Sequence, residues 1–103
     1  MSSDHDRLEK RAMVLAREVV RKIDADPRRI GLEQARQRCR LWLEQRPNPY
    51  LIHWQELLLQ NWAEVRLMLL ADTEEARQLR QNSPFCGVLT PQERWQVYRH
   101  AQE

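Results

Sequence analysis

The sequence predicts an all-α fold, a compact bundle of five to six short helices in a single helical domain over residues 1–103. Three observations predict it. Gly31 and Gly87 are the only glycines and β-branched residues are few, so the chain lacks the punctuation and alternation that hairpins and strands leave. Apolar residues recur instead at spacings of three and four, which puts them on one stripe of a helix. Prolines and capping residues then cut the stripes into short segments.

The first helix is expected from about Asp4 to Asp24, with Leu8, Ala12, Leu15, Val19 and Ile23 on one face and charged residues on the other. Asp26 and Pro27 interrupt it and start a second helix, Asp26 as cap and Pro27 in the first position, running to about Gln45. Leu32, Ala35, Cys39 and Trp42 form its stripe, with Leu43 alongside. Pro47, Asn48 and Pro49 are the clearest break in the chain, because neither proline can donate to a helical ladder. A third helix over about Tyr50 to Gln60 is apolar most of the way round, which predicts the central, most buried element. Asn61 with Glu64 caps a fourth helix to Ala71, and Asp72 with Glu75 caps a fifth from Thr73 to Gln81. Thr90, Pro91 and Glu93 are the strongest start signal, for a last helix to about His100 with Trp95, Tyr98 and Ala101 on one face.

Cys39 and Cys86 stand far apart, so no disulfide framework or paired-thiol zinc pattern can be built, and a reducing cytoplasm is the simplest fit. Met1 to Asp6 is polar and acidic, and no window approaches the roughly 18 apolar residues of a membrane span. His5, His53 and His100 are scattered; His53 and Glu56 share a helical face, but one pair is only part of a metal site. Two isolated glycines make no phosphate loop, and Cys39 sits within an apolar stripe, where a thiol behaves as a small hydrophobe. The residues therefore imply no enzyme, no metal and no cofactor.

Two surfaces remain as candidates. Met1 to Arg46 carries twelve Lys and Arg against eight Asp and Glu, whereas Pro47 to Glu103 carries five against seven. Fifteen of the seventeen cations are arginine, which favours bidentate contacts to phosphate or carboxylate, although genomic base composition explains the same bias. Arg28, Arg29, Arg36 and Arg40 are the candidate nucleic-acid-binding residues, diluted by Glu33 and Glu44. The other candidate is the connection from Ser83 to Leu89, unusually apolar for a loop. Such a loop must fold back onto the core or meet a partner; folding back is the commoner outcome, the single Phe being a natural anchor. With Trp95 on the next helix, Phe85, Val88 and Leu89 make up the candidate partner-binding surface. Self-association into a homodimer is a third option, since leucines and tryptophans exceed the needs of a small core.

The continuous segment Arg77, Gln78, Leu79, Arg80, Gln81, Asn82, Ser83, Pro84, Phe85, Cys86, Gly87, Val88, Leu89, Thr90, Pro91, Gln92, Glu93, Arg94, Trp95 resembles the C-terminal signature of a family of small bacterial helical proteins of unknown function, found in gene neighbourhoods of the toxin–antitoxin type. Outside it, only the N-terminal helix ending near Asp26 and Pro27 and the helix with Trp54 look similar. In that family a small residue such as alanine often stands at the position of Cys86, which implies that no reactive thiol is needed there. The resemblance implies a bacterial, cytoplasmic, antitoxin-like protein that holds a partner protein, and it brings no catalytic residues.

Overall fold

The computed structural model describes residues 4–101 of the chain, and the side chains of residues 7–100. The ends of the chain and the side chains of His5 and Ala101 lie outside the described residues. Six helices follow one another: α1 (Asp4–Asp24), α2 (Ile30–Gln45), α3 (Pro49–Leu57), α4 (Trp62–Leu70), α5 (Glu74–Gln81) and α6 (Pro91–Ala101). The fold is an all-α bundle, with no strand among the described residues. Its radius of gyration, 13.5 Å, is close to the roughly 13 Å of a compact chain of this length. No helix among the described residues is long and apolar enough to cross a membrane.

The centre of the bundle is α1, which packs against α2, α4, α5 and α6. Its buried face is Ala16, Val19, Val20 and Ile23, a helical stripe turned slightly from the expected one, since Leu8 is exposed and Leu15 only half-buried. The expectation that α3 would be the most buried element is wrong. Leu51 and Trp54 of α3 face the core, but Tyr50 and Ile52 are exposed, because α3 packs chiefly against α2 and α5. On α2 the stripe behaves as read: Leu32, Ala35 and Cys39 are buried, and Trp42 and Leu43 pack partly against them.

Local chemistry explains most boundaries. Asn48 accepts a hydrogen bond from the Leu51 N–H at 3.0 Å, so α3 starts at Pro49, one residue before the expected Tyr50. Asn61 accepts from Glu64, and at α6 the Thr90 hydroxyl accepts from Glu93 N–H while the Glu93 carboxylate accepts from Thr90 N–H, a complete capping box. The cap of α5 is Thr73, whose hydroxyl accepts from Ala76 N–H; Asp72 instead pairs with Arg77 at 2.8 Å. At α2 the helix starts at Ile30 rather than Pro27. The Asp26 carboxylate accepts the N–H groups of Arg28 and Ile30, which closes a turn over Pro27 and Arg28 before the helix begins. These two N–H groups hold the Asp26 carboxyl below its usual range.

Arg29, at the mouth of α2, has φ 52° and ψ 42°, the left-handed region that costs a non-glycine residue about 1 kcal/mol or more. Its guanidinium offsets that cost. It donates to the carbonyls of Ile23 at 2.7 Å and Asp24 at 3.3 Å, the open end of α1, and lies over the Trp62 ring.

Candidate functional site

The turn from Ser83 to Leu89 folds inward. Phe85, Val88 and Leu89 are 2, 5 and 5% exposed and belong to the core. The Phe85 ring meets Trp54 edge-on, with centroids 5.6 Å apart, and Trp54 in turn donates its indole N–H to the Leu79 carbonyl at 2.8 Å. Three of the four residues expected at a partner contact are therefore spent on the protein's own interior. The physical reason is that packing these three apolar side chains against Trp54 and the rest of the core removes them from water.

Two cations hold the turn in place. Arg38 donates to the Pro84 carbonyl at 3.0 Å and its guanidinium lies so close to Gly87 that a Cβ there would overlap it. Lys22 donates both to the Val88 carbonyl, at 2.8 Å, and to the Glu93 carboxylate, at 2.7 Å. The Glu93 carboxyl is held down to about 2, first by Lys22 and then by the Thr90 N–H. One lysine thus ties α1 to the end of the turn and to the start of α6.

The fourth residue, Trp95, is where a contact surface remains. It is 64% exposed. The other three tryptophans have internal roles: Trp54 is fully buried, Trp42 packs partly against the core, and Trp62 donates its indole N–H to Asp24 at 2.7 Å. α6 is fixed on its inner side by the Lys22–Glu93 pair and by Arg11 over the Tyr98 ring at 5.1 Å. Trp95 is consequently displayed on a helix whose position is already set.

The four arginines considered for phosphate binding divide evenly. Arg28 and Arg40 are exposed. Arg29 is occupied at the end of α1, and Arg36 donates to the Leu58 carbonyl at 2.9 Å, beyond the end of α3, and pairs with Glu33. Arg80 does the same for α4: it is 8% exposed, and one of its nitrogens donates to the carbonyls of Leu69 at 3.0 Å and Ala71 at 2.7 Å. Burial pushes the Arg80 pKa down from its ordinary value. No glycine adopts a positive φ anywhere among the described residues, so no helix end is closed by a left-handed glycine. Guanidinium groups from neighbouring segments close the ends of α1, α3 and α4 instead.

His53 faces Glu75 of α5 at 3.1 Å, and no group of three or more potential metal ligands occurs among the described residues. Cys39 is buried, its Sγ donating to the Leu51 carbonyl at 3.5 Å and its thiol pushed up by burial, while Cys86 is exposed. No family model, no curated protein and no solved structure matches the chain.

Proposed function

We propose that the protein is a binding module that holds a partner protein through the outer face of α6, centred on Trp95. The observation that carries this reading is the 64% exposure of Trp95 on a helix anchored from behind by Glu93 and Tyr98. A large, stiff aromatic on a pre-positioned helix loses little entropy on contact, which is why tryptophan dominates binding hot spots. The resemblance of the Arg77–Trp95 segment to small bacterial proteins from toxin–antitoxin neighbourhoods supports an antitoxin-like role in the cytoplasm. Nucleic-acid binding is the weaker reading, because Arg29 and Arg36 are committed to backbone carbonyls.

The test is copurification of the parent and of Trp95→Ala from cell lysate. Trp95 is mostly exposed, so the variant's melting temperature should stay within a few degrees of the parent's, as is usual for surface substitutions. Loss of a central tryptophan should cost the complex about 2 kcal/mol or more, roughly thirtyfold in affinity. A folded Trp95→Ala protein that keeps every partner of the parent contradicts the proposal. A duplex-DNA titration separates the second reading, since phosphate contacts make affinity fall steeply with salt and an apolar contact does not.

A further inference from the structure

Beneath the Ser83–Leu89 turn lies a cavity of about 210 Å³ that is independent of the Trp95 face. Leu15, Val19, Leu69, Phe85 and Leu89 supply apolar walls, and Arg80 and Arg94 also line it. Arg80 is more than nine-tenths buried and forms no ion pair among the described residues, although the carboxylates of Asp72, which Arg77 engages, and Glu9 favour its charge from farther off. Among the described residues one of its nitrogens donates, to the Leu69 and Ala71 carbonyls. Arg94 makes no side-chain hydrogen bond or ion pair among the described residues. A buried arginine and a second, half-buried one among the apolar walls of the same cavity favour a ligand with one anionic end and an apolar body.

We propose that this cavity binds a small apolar monocarboxylate, its carboxylate paired with Arg80 and Arg94 and its ring or short chain against Leu15, Val19 and Phe85. Size limits the choice: an apolar cavity of about 150 Å³ accommodates benzene, so the additional space here accepts a carboxylate and a methylene beside a phenyl-sized body. Chemistry limits it further. A planar carboxylate matches a guanidinium fork, and the apolar walls of Leu15, Val19, Leu69, Phe85 and Leu89 suit an apolar body attached to it. Cys86 and Gln81 line the same cavity and are exposed, which places its mouth at the Cys86 thiol.

That thiol supplies a direct readout. Cys86 of the intact protein is alkylated with iodoacetamide in the presence of phenylacetate or of its uncharged analogue phenylacetamide, with product followed by mass spectrometry; Cys39 is buried and serves as internal reference. In parallel, the methyl resonances of Leu15, Val19 and Leu89 are followed in titrations. Phenylacetate is expected to slow alkylation several-fold and to shift these methyls along a saturable curve in the millimolar range expected of so small a ligand. Phenylacetamide should bind about tenfold more weakly or worse, as should phenylacetate to Arg94→Gln, each having lost a charge-assisted pair. Ala12→Leu, which fills the cavity from α1, should remain folded and lose both responses. Absence of protection and of methyl shifts at about 10 mM phenylacetate would overturn the proposal. So would equal binding of the uncharged analogue, or undiminished binding by Ala12→Leu.

Discussion

Gly31 illustrates how a single position is decided by packing rather than by propensity. It lies in the first turn of α2, where alanine would ordinarily be favoured over glycine by about 1 kcal/mol. A Cβ on this residue would lie 2.9 Å from Ile23 Cγ1 and 3.0 Å from Val88 Cγ1. Ile23 is 1% exposed and Val88 5%, so neither can step aside into solvent. Gly31→Ala should therefore destabilise the protein, by about 1–3 kcal/mol as overpacked cores do. Its urea midpoint should fall at unchanged slope, and a stabilised variant would mean that Ile23 and Val88 have room to move. Gly87 is a milder case, because the group that a Cβ would strike is the end of the Arg38 side chain, which can swing away at the expense of its bond to Pro84. None of this was legible in the sequence, where Gly31 counts only as one of two isolated glycines.

Elements differ in how far they could be read, and the difference follows from how local their causes are. α1 has the expected limits, and the caps at Asn61 and Thr90 are the expected ones, because a cap is satisfied within three residues. Where two adjacent residues can both cap, the outcome depends on a neighbour: Asp72 is engaged by Arg77, so Thr73 caps α5. Asp26 with Pro27 signals a tight turn as much as a helix start, and the turn prevails because Asp26 can take two N–H groups there. The burial ranking of α1 and α3 was not legible at all, since it depends on how many helices each one touches. The start of α6 also has a pH dependence. The Glu93 pKa is lowered in the folded protein from an ordinary 4.5 to about 2. Its contribution to stability is complete above the ordinary value and is lost as pH falls from about 5 towards 2. Glu93→Gln should therefore be less stable than the parent at pH 6, and most of the gap should be gone by about pH 2.5. Thermal melts at both values check this; a constant gap would mean that the Lys22–Glu93 pair contributes only geometry.

For the whole molecule, the arginine content is the property most open to two interpretations. Read along the chain, Arg28, Arg29, Arg36 and Arg40 form a basic cluster of the kind that meets phosphate. In three dimensions Arg29 and Arg36 serve helix ends, and Arg80 and Arg38 serve the end of α4 and the Ser83–Leu89 turn. Such bonds span as much as 46 residues in the case of Arg38 and Pro84, so no local spacing announces them. The candidate contact was only partly legible for the same reason. Phe85, Val88 and Leu89 were singled out as an apolar stretch in a connection, but only the packing of the bundle decides that they turn inward and that Trp95 turns outward.

Arginines hold this bundle together at its helix ends, and urea unfolding of four single variants distinguishes that role from a free surface charge. Arg36→Gln and Arg80→Gln leave carbonyls without their charged donor and should lose about 1 and about 2–3 kcal/mol of stability respectively, the larger loss falling at the buried site. Arg28→Gln and Arg40→Gln remove exposed charges of the same kind and should stay within about 0.5 kcal/mol of the parent. Four indistinguishable midpoints would contradict the claim and return the arginines to the surface as free cations.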